Sequence, residues 1–79
     1  MEKLVKMLWD KSKVDIYFIL DALLTESEIS EFEKRLEVFS ALNSWMTYRE
    51  ASKSVWVSLN TITRGSKEMQ NKPRIKDYL

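Results

Sequence analysis

Thr47 to Ser66, TYREASKSVWVSLNTITRGS, holds two helix-start signals eleven residues apart, with room between them only for a tight turn. The first is a capping box. The Thr47 hydroxyl can accept from the backbone N–H of Glu50, while the Glu50 carboxylate accepts from the N–H of Thr47, and Met46 and Ala51 stand at the staple positions. The second is Ser58, an N-cap residue flanked by Val57 and Ile62. A short helix, a turn and a second helix opening on small polar residues is how proteins set a recognition helix into the DNA major groove. An αα-corner in any helical protein can show the same spacing, so the residue types carry the distinction. Asn60 to Lys67 reads NTITRGSK, in which Ile62 is expected to face the core. A merely structural helix should carry more apolar residues on its inner face. Asn can pair bidentately with adenine, Thr offers a hydroxyl and a methyl, and Arg reaches guanine or phosphate.

Outward from this stretch, helical periodicity continues and strand alternation is almost absent. Leu4, Val5, Leu8 and Trp9 form one apolar stripe, and Ile16, Ile19, Leu20 and Leu23 a second. Thr25 with Glu28 is another capping box, stapled by Leu24 and Ile29. It opens a long helix with the stripe Ile29, Phe32, Leu36 and Phe39, widened by Val38, Leu42 and Trp45. A face this wide needs partners on more than one side. Pro73 should stop the recognition helix by Lys72, leaving Ile75, Tyr78 and Leu79 on a short final helix. The expected organisation is a single all-α domain over 1–79: a helical dimerisation core about 1–46, a helix-turn-helix about 47–70 and a short C-terminal helix about 73–79. No internal repeat or linker interrupts it.

Seventy-nine residues give a modest core that often needs support. With no cysteine and no histidine, disulfides, the usual zinc sites and the usual nucleophile and base pairs of enzymes are excluded. Another copy of the chain is the simplest remaining support. No stretch approaches a membrane span, and MEKLVKMLWDK mixes charges with its apolar residues unlike a signal peptide, so a cytoplasmic location is expected. The net charge of +1 is low for a DNA-binding protein. Its distribution is uneven, however: Arg49, Lys53, Arg64, Lys67, Lys72, Arg74 and Lys76 lie in the C-terminal half, while Glu26, Glu28, Glu31, Glu33 and Glu37 crowd the long middle helix. Ordinary solvated helix faces can produce the same asymmetry.

The run Thr61-Ile62-Thr63-Arg64-Gly65-Ser66 resembles the ITRGS signature of the tryptophan repressor family. Leu23-Leu24-Thr25 resembles the end of that family's second helix, Arg35-Leu36-Glu37-Val38 its next long helix, and Met46-Thr47 with Arg49-Glu50 its helix-turn-helix entry. The resemblance covers about residues 20 to 70, with a gap of about one residue near Asn43 to Trp45. It implies an intertwined homodimer whose recognition helices read a near-palindromic operator about one DNA turn apart, about 34 Å. Arg49, Ser52, Asn60, Thr61 and Thr63 are then the expected base contacts, direct or through water, with Lys53, Ser66 and Lys67 at phosphates. It also implies L-tryptophan as corepressor, the indole lying between Arg35 and Arg64, with Gly65 admitting the ring, Thr25 offering a hydroxyl and carbonyls of Ala22 to Leu24 receiving the ammonium.

Each corepressor residue has a plainer alternative. Arg35 can pair with Glu31 and Arg64 with Glu68, as surface ion pairs worth about 0.3–0.5 kcal/mol. Thr25 can be only an N-cap, and Gly65 only a point of close helix approach. Glu68 replaces a small residue of the family and can repel an amino-acid carboxylate. Trp56 replaces a glycine at the turn, where positive φ is expected. Its indole can pack near Trp45, project toward DNA or fill the corepressor pocket. The last would give a ligand-independent regulator. A helical protein-interaction module with a vestigial helix-turn-helix is the rival class.

Overall fold

The computed structural model describes residues 1–79 as helices joined by short connections, with no strand. The order is α1 (Glu2–Leu8), α2 (Lys13–Leu23), α3 (Glu26–Asn43), α4 (Tyr48–Val55), α5 (Leu59–Asn71) and a 3₁₀ helix, Pro73–Tyr78. Two compact units share the chain, Met1–Ser30 and Glu31–Leu79.

Local hydrogen bonds set the boundaries in the first unit. Asp10 takes a left-handed conformation at φ 58°, which Asp tolerates better than most residues, and ends the α1 region. The Ser12 hydroxyl caps α2 by accepting from the N–H of Asp15 at 3.2 Å. Thr25 and Glu28 form the expected reciprocal box at the start of α3, at 3.1 and 2.9 Å. No side chain of this unit is buried, and Leu4, Val5, Met7, Val14, Tyr17, Phe18 and Leu23 are all exposed.

The second unit has a small continuous core of Val38, Ala41, Ala51, Val55 and Ile62, with Leu42, Met46 and Val57 packed against it. Ile62 is fully buried, as its place in NTITRGSK requires. Gly65 explains how α5 comes so close to α3: a β-carbon there would lie 2.6 Å from Val38 Cγ1. That distance is too short for any side chain without displacing Val38.

The stripe expected on α3 is therefore shifted. Val38 and Ala41 are the buried residues of that helix, whereas Phe32 and Leu36 remain exposed. Val38 meets α5 at Gly65 and Ala41 joins the same core, whereas Phe32 and Leu36 are 46% and 54% exposed. Trp45 does not extend α3 either. It follows the helix in a left-handed conformation, φ 63°, and is 95% exposed. Pro73 acts as expected: α5 ends at Asn71, and Lys72, before the proline, leaves the helical region with ψ 65°. The final segment is a 3₁₀ rather than an α-helix.

Candidate nucleic-acid interface and adjoining groove

Thr47 caps α4 in both directions, its hydroxyl accepting from the N–H of Glu50 and its own N–H donating to Glu50 Oε1, each at 3.1 Å. The Thr47 backbone N–H, and after it the Thr47 hydroxyl, hold the Glu50 carboxyl below its ordinary value. At the other end of α4, Trp56 adopts φ 62° and ψ 46°. The N–H groups of Trp56 and Val57 both turn back to the Ser52 carbonyl, which closes a Schellman-type turn in the slot that glycine usually fills. For a bulky L-residue that conformation costs about 1–2 kcal/mol. Two further bonds fasten the turn: the Ser52 hydroxyl donates to the Val57 carbonyl, and Lys34 Nζ reaches from α3 to the Val55 carbonyl at 3.0 Å. Ser58 then caps α5, accepting from the N–H of Thr61 at 3.2 Å.

Arg49, Lys53, Asn60 and Lys67 are exposed on these two helices, and none of the three cations has an ion-pair partner. The hydroxyls named with them are already engaged within the chain. Ser52 bonds the turn, Thr61 lies 3.1 Å from the Ser58 hydroxyl, Thr63 donates to the Leu59 carbonyl at 2.9 Å, and Ser66 accepts from the Tyr48 hydroxyl. Each keeps a lone pair for a further partner. Lys34 and Tyr48 were missed by sequence reasoning. Their partners are 21 and 18 residues away, beyond any periodic signal.

An open groove within the second unit runs between α3 and α5, and Arg35, Arg64, Gly65 and Glu68 line it together with Lys34 and Phe39. Neither of the plain ion pairs forms. Glu68 turns to Lys72 at 3.2 Å instead of to Arg64. The Arg35 guanidinium lies over the Phe32 ring, 5.7 Å from its centroid, instead of pairing with Glu31. Both arginines therefore reach the groove without a carboxylate partner. Trp56 is 88% exposed and is not part of the groove lining, so its indole does not occupy this space. Thr25, in the first unit, is engaged as the N-cap of α3.

The sequence matches the family described as Trp repressor protein over residues 1–78. The chain belongs to the Trp repressor family. The match extends well beyond the motif-bearing stretch from about 20 to 70. Two Trp operon repressor homologs of Xylella fastidiosa, from strains M23 and 9a5c, are each 34% identical over 80 residues, covering 99% of this chain and 86% of theirs. No solved structure gives a significant match. Trp repressor family proteins are non-enzymatic regulators. No helix is long and apolar enough to cross a membrane.

Proposed function

We propose that this member of the Trp repressor family is a cytoplasmic, sequence-specific transcriptional repressor that binds operator DNA as an intertwined homodimer. The observation that carries this reading is the capped helix α5, which buries Ile62 and Met69 while Asn60, Thr61, Arg64 and Lys67 stay exposed. Asn60, Arg49, Ser52, Thr61 and Thr63 serve base recognition, and Lys53, Ser66 and Lys67 hold phosphates. Gel-shift titration against a randomised duplex pool tests it. Asn60→Ala relaxes preference at one or two base pairs at a cost of about 1–3 kcal/mol, and Lys67→Ala weakens all duplexes alike. No enrichment of any sequence by the wild-type protein, or binding indifferent to salt, rejects the repressor reading in favour of an interaction module.

For the groove we propose L-tryptophan as corepressor, its ring between Arg35 and Arg64 and beside Gly65. The freedom of Arg64 from Glu68 supports this, since a guanidinium can stack on an indole and bind a carboxylate. A second reading, a ligand-independent regulator of the same fold, draws support from the Lys34 bond to the Val55 carbonyl, by which the chain's own side chain ties the end of α4 to α3. Isothermal titration separates the two. In the gated case tryptophan tightens operator binding by the same factor as operator tightens tryptophan binding. Glu68→Ser strengthens uptake further. Absence of uptake by both proteins, with operator binding intact, selects the ligand-independent form.

A further inference from the structure

Trp56 sits in the left-handed conformation that glycine adopts most easily, and its indole is 88% exposed. The turn is closed by the Ser52 carbonyl, the Ser52 hydroxyl and Lys34, none of which uses the ring. Within the chain the indole thus brings strain and almost no burial. What it lies beside indicates its use. On α4 the buried residues are Ala51 and Val55, while Arg49 and Lys53 occupy the opposite face. Trp56 follows the last turn of α4, three residues after Lys53 in the chain, and stands two residues before the N-cap of α5.

We propose that Trp56 is a DNA-backbone contact. Its indole N–H donates to a phosphate oxygen and its ring lies along the adjacent sugar, beside the phosphate contact of Lys53. Indole is a donor only, and phosphate an acceptor only. The exposed cations Arg49 and Lys53, on the helix that ends at Trp56, match a polyanion better than an apolar protein surface. Backbone contacts of this kind fix the register of a reading helix and carry no sequence information themselves. The inference rests on the DNA-binding reading above.

Trp56→Gly in the full chain provides the test, because it separates stability from binding. It should raise the melting temperature by a few degrees, through release of the strained conformation, while lowering affinity for every duplex about tenfold. Trp56→Arg keeps the strain and supplies another phosphate donor, so it should retain wild-type affinity without the gain in melting temperature. Trp45 is a matched control, equally left-handed and 95% exposed but placed ahead of α4 instead of at the turn between α4 and α5. Trp45→Gly should raise stability and leave duplex affinity unchanged. In a Trp9→Phe, Trp45→Phe background, the remaining Trp56 emission should change on duplex binding with the stoichiometry of the complex. Unchanged affinity in Trp56→Gly, an equal loss in Trp45→Gly, or a loss confined to particular base sequences would overturn the assignment while leaving the DNA reading in place. Failure of the wild-type protein to bind any duplex would overturn both.

Discussion

Between Met1 and Ser30 no side chain is buried, whereas Glu31 to Leu79 encloses a core in which Ile62 is wholly sealed. Both regions are helical and both use hydroxyl caps, so the difference does not come from helix-forming tendency. It lies in where the apolar residues find partners. In the second region α4 and α5 fold back on α3 over short turns, and their apolar faces meet inside one chain. In the first, Leu4, Val14, Phe18 and Leu23 face outward. Short helices gain most of their stability from packing an apolar face, so this region is complete only when something covers it. The proposed second copy would do so.

That contrast can be broken most directly at Ile62. Ile62→Ala should destabilise the chain by about 2–5 kcal/mol, since the fully enclosed site cannot collapse completely. Urea denaturation followed by helical circular dichroism measures the loss. Phe18→Ser examines the opposite region: on a lone chain its 63% exposure predicts little effect. In the proposed dimer it should cost about 2–3 kcal/mol and make the melting temperature fall more steeply on dilution. Sedimentation of wild type as a folded monomer at micromolar concentration would remove that distinction. Gly65→Ala comes next, expected to cost about 1–3 kcal/mol by forcing Val38 aside, and a companion Val38→Ala should recover part of it.

The smallest effect concerns pH. Glu50 is held below its ordinary pKa by the Thr47 backbone N–H and then the Thr47 hydroxyl, so its contribution to stability is complete above the usual glutamate value. As pH falls through the depressed value of the folded state, that contribution disappears. Glu50→Gln and Thr47→Ala should each flatten this acid limb of the stability curve. Glu50 is fully exposed, and added salt should shrink the difference between variant and wild type.

Caps and breakers were readable in the sequence because they act within a few residues. The Thr25–Glu28 and Thr47–Glu50 boxes, the Ser58 cap, the turn at Trp56 and the end of α5 before Pro73 all depend on neighbours three or four positions away. The burial of Ile62 was legible for the same reason, as an isolated apolar residue on a polar helix. Charge pairing was not. Glu68 has a cation four residues to either side, and the choice between Arg64 and Lys72 turns on a few tenths of a kcal/mol. Arg35 likewise had both Glu31 and the Phe32 ring within reach. Lys34 with Val55 and Tyr48 with Ser66 exist only once the helices have met, and no spacing rule reports them. Of the proposed site, the cations and Asn60 could be placed on a surface from periodicity. The prior engagement of the Ser and Thr hydroxyls could not.

Gly65 is the chain's one glycine, and it makes Val38 a fulcrum. Val38 Cγ1 fills the volume a β-carbon would take, with Leu42 Cδ1 3.7 Å from the same position, so these α3 side chains set how closely α5 approaches at Gly65. Asn60 lies five residues away, about 7.5 Å along the axis at the usual helical rise. A tilt of about 8° about that point swings Asn60 by about 1 Å, enough to make or break a base-edge hydrogen bond. The width of a single aliphatic side chain on the supporting helix thus acts as a leverage setting for the reading tip. If the proposed operator contacts hold, changes at residue 38 shift operator preference with the proposed contact residues left as they are.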